Sequence, residues 1–338
     1  MIAFEKTFLA GEQIPRVWQI TRGNEAGIDE VVSWLREHSP MIAADRDRYG
    51  AVLLRGFYSI DSPQQFSAVL GVIAKSLMDY VGGSAPREVV HGQVTTASGL
   101  PGTYSLALHQ EMAYQANRPD ALALFCEIPP DEGGETPIAD ARVITSRLDP
   151  GVRERFDRKG VGVRRALPSP AQGEANRVPR PWDHVFGTSD RAEVARIADE
   201  NQWKVEWRAD DSMLLWQQVL PAFKVHPRTG EKVWANQVHY HMPECMLRWA
   251  LRDGRTDEAE RIRRQMVESP ETLDHAFHDD GVRVSGQDAE HVWDVLVESE
   301  IPLRWQRNDV LLLDNVLALH GRRPYGGQRR ILVGMIKD

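Results

Sequence analysis

Two side chains that could bind a metal ion lie close together in the first half of the chain. In the segment Leu108-His109-Gln110-Glu111, one residue separates an imidazole from a carboxylate. Residues two apart on a β-strand project from the same face, so both groups could point at one cation. A half-buried polar pair on an ordinary strand has the same appearance, so this pattern alone does not establish a metal site.

A second histidine, His320, ends the apolar segment DVLLLDNVLALH at 309–320, which we predict to be one nearly continuous strand. It could be a core histidine or a third ligand. Two histidines and one carboxylate on a β scaffold form the facial triad that holds Fe(II) and leaves positions open for a chelating 2-oxo acid and O2. A structural zinc site would close its fourth position, usually with cysteine, and Cys126 and Cys245 lie far apart in the sequence.

The segment GGETPIADAR at 133–142 predicts a sharp turn at Gly133-Gly134, followed by the hydroxyl of Thr136. By itself it indicates only a turn. Further along the chain, a glycine-rich turn follows His320 and leads into a strand that opens with Arg329 and Arg330.

Together these segments resemble the TauD/TfdA family of Fe(II)/2-oxoglutarate-dependent dioxygenases, in particular its SyrP-like or clavaminate-synthase-like branch. The resemblance extends from LLRGF at 53–57 to the C-terminus. Three motifs carry it: LHxE followed by an aromatic at 108–114, CxxPxxxGGET at 126–136, and WxxxDxxxxDNxxxxHxR at 305–322.

The resemblance implies a role for each matching residue. His109, Glu111 and His320 would bind the iron. Thr136 and Arg330 would bind 2-oxoglutarate, because their intervals from His109 and His320 match those of the family. Arg329 would face the other way, since neighbouring residues on a strand alternate.

The implied reaction consumes O2 and 2-oxoglutarate, releases succinate and CO2, and hydroxylates an unactivated C–H of the substrate. We expect an amino acid or amino-acid-like substrate from natural-product biosynthesis, either free or tethered to a carrier protein. Sulfonate-oxidising members carry a second arginine four residues beyond the co-substrate arginine, where this chain has Gly334. A taurine-like substrate held in that way is therefore not expected.

Candidate substrate contacts are polar or bulky residues near the metal motif and in VWANQVHYHM at 233–242. They are Gln93, Thr95, Ser105, Met112, Tyr114, Asn236, Gln237 and His239. A stretch around Trp182 and His184, at 170–190, could belong to a lid.

Several alternatives remain open. Desaturation or cyclisation could replace hydroxylation, and a cupin-like metal hydrolase or isomerase would need the same ligands without Arg330. A barrel used only for binding is a further possibility. A halogenase is disfavoured, because related halogenases have a small residue where this chain has Glu111.

The elements that must position these groups are mostly strands. We predict one domain, 1–338, with core strands at about 88–142, 221–242 and 301–336, and insertions at about 150–220 and 243–300. The first insertion should be irregular with some helix and the second helical. The expected fold class is mainly β with helical insertions, a double-stranded β-helix (jelly-roll, cupin-like) barrel. Helices at 24–39 and 62–80 should flank a strand at 50–57.

Composition excludes some classes of protein. The 338 residues carry a net charge of −8, and a chain this acidic is a poor ligand for nucleic acid. The N-terminal residues do not form a signal peptide, and no stretch is apolar enough to span a bilayer. Two cysteines make no disulfide framework, so we expect a soluble cytoplasmic enzyme with reduced, buried thiols and a small-molecule substrate.

Overall fold

The computed structural model describes residues 1–9, 11–80, 87–172 and 179–337. Its strands, in chain order, are β1 (Ala3–Phe8), β2 (Arg16–Arg22), β3 (Ala51–Arg55), β4 (Ser76–Leu77), β5 (Val89–His91), β6 (Val94–Thr96), β7 (Leu106–His109), β8 (Ala121–Ile128), β9 (Glu132–Gly133), β10 (Thr136–Asp140), β11 (Val161–Leu167), β12 (Lys204–Trp207), β13 (Met213–Leu220), β14 (Phe223–Val225), β15 (Lys232–Trp234), β16 (His275–Phe277), β17 (Ile301–Leu303), β18 (Val310–Asp314), β19 (Ala318–Arg322), β20 (Tyr325–Gly326) and β21 (Arg330–Lys337).

The helices are α1 (Ile28–Tyr49), α2 (Pro63–Ile73), α3 (Ala141–Arg147), α4 (Pro150–Lys159), α5 (Trp182–Phe186), α6 (Arg191–Glu200), α7 (Pro243–Arg252), α8 (Thr256–Glu268) and α9 (Gly286–Glu298). Short 3-10 helices lie at Val238–Tyr240 and Pro270–Thr272. Among the described residues, no helix combines the length and apolar character needed to cross a membrane.

Two sheets face each other across a shared apolar core. The large sheet has the order β1-β2-β3-β18-β8-β21-β6-β5, with β4 also paired to β21, and the small sheet has the order β17-β10-β19-β7. Leu124 and Ile331 of the large sheet and Ile138 and Leu303 of the small sheet belong to one buried cluster between them. This packing of mostly antiparallel sheets fixes the position of the strands that carry the candidate ligands.

The apolar segment at 309–320 is two strands, so the prediction of one continuous strand was wrong. β18 pairs with β3 and β8 in the large sheet, whereas β19 pairs with β10 and β7 in the small sheet. At the corner, Asp314 Oδ1 accepts hydrogen bonds from the backbone N–H groups of Val316 and Leu317, both at 2.9 Å. These local bonds replace strand pairing and turn the chain from one sheet to the other.

Helices α1 and α2 pack on the large sheet as predicted, but their ends differ from the prediction. α1 continues through Pro40, which cannot donate to the carbonyl of Arg36; the Ser39 hydroxyl donates to that carbonyl instead, at 3.0 Å. α2 begins at Pro63 with Ser62 as its N-cap and ends at Ile73, well before residue 80.

Most of the described residues of the region 150–220 lie in helices and strands, which corrects the prediction of an irregular excursion with some helix. It contains α4, α6 and strands of a third sheet, with the order β12-β13-β11-β16. Trp182 is buried in a core beside this sheet, and residues 173–178 of the expected lid lie outside the described residues. The second insertion is largely helical, as predicted, with α7, α8 and α9. The single-domain assignment and its boundaries stay a prediction.

Candidate active site

The structure brings the three predicted metal ligands together at one end of the small sheet. His109 on β7 and His320 on β19 are directly opposite each other in the antiparallel ladder, with ring centroids 4.4 Å apart. Glu111 follows two residues after His109, and the ligand atoms of all three side chains lie within 4.8 Å of one another. Two imidazoles and one carboxylate in this arrangement suit Fe(II) bound on one face.

Hydrogen bonding fixes the orientation of the His109 ring. Its Nδ1 lies 2.9 Å from the carbonyl of Ala107, and because a carbonyl only accepts, Nδ1 must donate. In the neutral ring this leaves the Nε2 lone pair for a metal. The Tyr240 hydroxyl donates to the same carbonyl at 2.8 Å and holds the back of the site.

The electrostatic environment favours the protonation states that a cation requires. Burial lowers the pKa of His320 to about 3 and also lowers the pKa of His109, so both imidazoles are neutral near pH 7. Burial opposes ionisation of Glu111, but the positive charge of Arg87 acts the other way and the pKa of the carboxyl is lowered. Two neutral imidazoles and one ionised carboxylate, the forms that bind a metal ion, therefore face the same point.

Neighbouring amides hold the backbone between these ligands. The Asn315 side chain bonds to both the N–H and the carbonyl of Glu111, and its Nδ2 also donates to the carbonyl of Pro119 at 2.8 Å. Gln110 points the opposite way, and its Nε2 donates to the carbonyl of Trp234 at 2.7 Å. Sequence reasoning placed Asn315 in a motif but assigned it no role.

The ligands open onto a cavity with an empty volume of about 1710 Å³, part of which is open to solvent. Of the predicted substrate contacts, Ser105, Tyr114 and Gln237 line this cavity. Ser105 Oγ accepts a hydrogen bond from Trp249 Nε1 at 2.6 Å, and the Tyr114 hydroxyl has no partner among the described residues.

A candidate co-substrate subsite lies in the same cavity. Thr136 Oγ1 accepts hydrogen bonds from Trp305 Nε1 at 2.9 Å and from Arg329 Nη2 at 3.3 Å. No described residue accepts the hydrogen of this hydroxyl, so it can be donated to a carboxylate. Arg329 lies half-buried beside it, and its partial burial, with the nearby charge of Arg322, lowers its pKa to about 10, so it is still cationic at neutral pH.

The prediction that Arg330 faces the co-substrate was wrong. Arg330 does not line the cavity; its side chain is 42% exposed and pairs with Glu127 at 3.0 Å. Strand alternation does hold, because Arg329, Ile331 and Val333 all line the cavity. Of the two arginines, the one that lines the cavity is therefore Arg329 and not Arg330, and a register shift between Arg330 and Ile331 separates this end of β21 from the regular ladder.

The position of Arg329 in the cavity also bears on the prediction that no second arginine holds a taurine-like substrate. Four residues beyond Arg329 is Val333, an apolar residue of the cavity wall. A Cβ on Gly334 would meet the Leu70 side chain at 2.6 Å, on the opposite face of the sheet. Neither position supplies a second arginine.

Five predicted substrate contacts lie outside the cavity lining, for different reasons. Gln93 is exposed and donates to the carbonyl of Leu77 at 3.3 Å. Thr95 lies opposite Val333 on β6 without reaching the cavity. Met112, with φ at +55°, turns into the core between the two sheets.

Asn236 and His239 are the other two. Asn236 is buried beside a separate small cavity. His239 is fully buried, with its ring against Tyr240 and Trp293. Both residues sit in the turn and short 3-10 helix after β15, where a strand was predicted to continue to about residue 242.

Sequence reasoning missed several charged residues of the cavity wall. Arg87 Nη2 donates to Glu111 Oε2 at 2.7 Å, and Arg255 pairs with Glu258 on α8. Further missed charged residues of the wall are Arg165, Arg261 and Asp274, and Arg322 was placed in a motif without a role. They come from distant segments, and no local pattern distinguishes them from surface charges.

A comparison with known protein families places the chain in one of them. Residues 17–336 match the model of the taurine catabolism dioxygenase TauD, TfdA family. The chain therefore belongs to the TauD/TfdA family and is an Fe(II)/2-oxoglutarate-dependent dioxygenase, with iron, 2-oxoglutarate and O2 as its cofactor and co-substrates. Membership decides against a metal hydrolase or isomerase.

Two characterised relatives support this assignment. The chain is 30% identical over 326 residues to the dapdiamide synthesis protein DdaC of Enterobacter agglomerans, covering 95% of this chain and 91% of the relative. It is 31% identical over 291 residues to a clavaminate synthase-like protein of Arabidopsis thaliana, covering 85% and 82%.

Solved structures confirm the predicted fold class, mainly β with helical insertions. PvcB from Pseudomonas aeruginosa superposes with a TM-score of 0.53 at 14% identity, covering all of this chain and 92% of PvcB. AAD-2, solved with Mn(II) and N-oxalylglycine, superposes with a TM-score of 0.51 at 11% identity, covering 99% and 97%.

Proposed function

We propose that this dioxygenase hydroxylates an unactivated C–H of an amino acid or amino-acid-like substrate in natural-product biosynthesis. The main observation is the wall of the cavity onto which the ligand triad opens: it carries charged groups of both signs with arginines in excess, Arg87 and Arg165 among the arginines and Glu258 and Asp274 among the carboxylates. The carboxylate of an amino acid can pair with an arginine of this wall. The relation to a dapdiamide synthesis protein supports a natural-product substrate.

In this proposal, His109, Glu111 and His320 hold the iron, and Arg329 with Thr136 holds the distal carboxylate of 2-oxoglutarate. The planar guanidinium of Arg329 suits bidentate pairing, and Thr136 donates its free hydroxyl hydrogen. When bound, iron and 2-oxoglutarate supply the oxidising chemistry, with succinate and CO2 as co-products. The protein orients the substrate C–H and limits access of water.

Glu111 favours hydroxylation over halogenation, because its carboxylate occupies the position that a halide would need. Desaturation and cyclisation by the same oxidising chemistry remain alternative outcomes. The substrate could be free or carried by a protein. The cytoplasmic location stays a prediction.

The test is aerobic incubation of the Fe(II)-loaded enzyme with 2-oxoglutarate and a panel of free and carrier-tethered amino acids. We expect substrate-dependent succinate formation and a product heavier by one oxygen. His320→Ala should abolish both, and Arg330→Met should leave both intact. A product of unchanged oxygen content with two fewer hydrogens would replace hydroxylation by desaturation, and succinate formation that no amino acid stimulates would overturn the substrate class.

A further inference from the structure

Arg87 is a buried arginine of the cavity wall that uses only part of its hydrogen-bonding capacity. Its Nη2 donates to Glu111 Oε2 at 2.7 Å, and its guanidinium stacks on Tyr80, with Cζ 4.0 Å from the ring centroid. The side chain is 7% exposed, yet Nε and Nη1 are buried without a hydrogen-bond partner. Neither donor has a partner among the residues that the structure describes.

Unused donors of this kind point to an absent acceptor. A guanidinium carries five N–H donors in a planar fork, and leaving buried donors unsatisfied is unfavourable. The fork matches a carboxylate, which can accept two parallel hydrogen bonds. Arg87 lines the cavity together with Glu111, so such an acceptor would lie next to the metal ligands.

The charge balance of the site leads to the same conclusion. Glu111, the only carboxylate that the described structure pairs with Arg87, is also a predicted metal ligand whose negative charge would be shared with the cation. The two negative charges of 2-oxoglutarate would be matched by the cation and Arg329. Arg87 would then be a buried positive charge without a full counter-charge, which is unfavourable.

The rest of the wall does not supply that counter-charge. Among the described residues, its charged side chains are the arginines Arg87, Arg165, Arg255, Arg261, Arg322 and Arg329 and the carboxylates Glu111, Glu258 and Asp274. Glu258 already pairs with Arg255, and Asp274 with His241. The cavity as a whole is therefore cationic and suited to an anionic ligand.

A second donor is available nearby. The hydroxyl of Tyr114 is buried in the same wall without a partner among the described residues. Burial raises its pKa well above the ordinary value, so this group stays protonated and can donate. Tyr114 follows the predicted metal ligand Glu111 closely in the sequence, and Arg87 donates to the same ligand. The unused donors of Arg87 and Tyr114 therefore both lie near Glu111.

We infer that Arg87, with Tyr114, binds a free carboxylate of the substrate that the enzyme oxidises, and holds this carboxylate beside the iron site. The inference deepens the proposed function on which it rests, because it specifies a substrate with an unesterified carboxylate. A substrate whose only carboxyl group is a thioester to a carrier would not satisfy Arg87. The metal-chelating carboxylate of 2-oxoglutarate would accept the same hydrogen bonds from Arg87. The experiment therefore distinguishes a carboxylate of the substrate from that of 2-oxoglutarate.

The experiment measures binding rather than turnover. The enzyme is loaded anaerobically with Fe(II) and 2-oxoglutarate, and the visible absorption band of that complex is followed. The probes are the proteinogenic L-amino acids, each compared with its primary amide, which lacks the negative charge. The variants are Arg87→Met, Arg87→Lys and, as a matched control, the surface substitution Arg330→Met.

We expect at least one amino acid to shift the band of the wild-type enzyme with an affinity about tenfold or more above that of its amide. Arg87→Met should reduce this preference to within about twofold and leave 2-oxoglutarate affinity nearly unchanged. Arg87→Lys should retain part of the preference, and Arg330→Met all of it.

Four results would overturn the inference: no amino acid shifts the band, amides bind the wild-type enzyme as tightly as acids, Arg87→Met keeps the preference, or its main effect falls on 2-oxoglutarate affinity. The last result would assign Arg87 to the co-substrate. The comparison of acids with amides needs no variant, so it decides even if Arg87→Met does not fold. Oxidation of a neutral amide or a thioester-linked amino acid would leave the proposed function standing while this inference fails.

Discussion

Asn315 forms a pair of hydrogen bonds with the backbone of Glu111: its Oδ1 accepts from the N–H at 2.7 Å, and its Nδ2 donates to the carbonyl at 2.9 Å. Asn315 is almost fully buried in the corner between β18 and β19. The residue therefore fixes the main chain of one predicted metal ligand next to the strand that carries another, His320.

Replacing Asn315 with alanine should weaken Fe(II) binding by about 10–100-fold, because supporting groups of this kind orient the ligands. It should also lower the free energy of unfolding by about 1–3 kcal/mol, since buried backbone groups lose their partners. Anaerobic Fe(II) titration and urea denaturation measure the two effects. Asn201→Ala, at the end of α6, is the control. Unchanged iron affinity in a folded Asn315→Ala protein would contradict the positioning role.

The two adjacent arginines at the start of β21 should behave differently. Arg329→Met should raise the KM for 2-oxoglutarate by about 100-fold, because a buried charge-assisted pair would be lost. Arg330→Met should change it by less than about twofold, since the exposed pair with Glu127 contributes little. Steady-state assays at varied 2-oxoglutarate measure both. The reverse ranking would restore the assignment made from the sequence interval.

Thr136 should contribute through its hydroxyl rather than its shape. Thr136→Val keeps the volume but removes the acceptor of Trp305 Nε1 and of Arg329, together with the donor to 2-oxoglutarate. We expect about tenfold weaker 2-oxoglutarate binding, which corresponds to one hydrogen bond to a charged group. Thr136→Ser is the matched control and should stay close to wild type. Equal affinities of the two variants would exclude the hydroxyl from this role.

Buried His239 should make the apo-protein less stable in acid. Burial lowers the pKa of His239 to about 3, whereas an unfolded histidine titrates near 6.5. Between these values the unfolded chain binds a proton that the folded chain does not, so stability falls as the pH decreases. At pH 5 this amounts to about 2 kcal/mol relative to pH 8.

His239→Leu should remove that share of the pH dependence and so lose less stability between pH 8 and pH 5 than the wild type does. Urea unfolding of the metal-free protein across this range measures the difference. His184→Leu, on the surface, controls for a change in histidine number. An identical pH dependence in wild type and His239→Leu would show that His239 is not buried as a neutral ring.

The residue types of the site were more predictable than their orientation. His109, Glu111, His320 and Thr136 could be found because their motifs and intervals together resemble those of the TauD/TfdA family, although none of the motifs identifies the site alone. The choice between Arg329 and Arg330 could not be made, because it depends on how the end of β21 meets β8. Arg87 was missed because its contact with Glu111 is set by tertiary structure.

The fold shows the same division. Strand positions followed from apolar runs, as at β3 and β8, and the Ser62 cap was visible in the sequence. The break between β18 and β19 was missed because the apolar pattern continues across Asp314 and Asn315. Only the side-chain bonds of Asp314 to the following backbone amides end the first strand.

The hydrogen bond between Thr136 and Arg329 joins two layers of the protein, because Thr136 begins β10 of the small sheet and Arg329 directly precedes β21 of the large sheet. 2-Oxoglutarate bound by both residues would therefore link the small sheet to the large sheet. Co-substrate loading would then resist mechanical separation of the layers and raise the melting temperature. In turn, apolar side chains such as Leu303 and Leu311, which pack in the core between the layers and do not line the cavity, would tune co-substrate affinity without contacting the co-substrate.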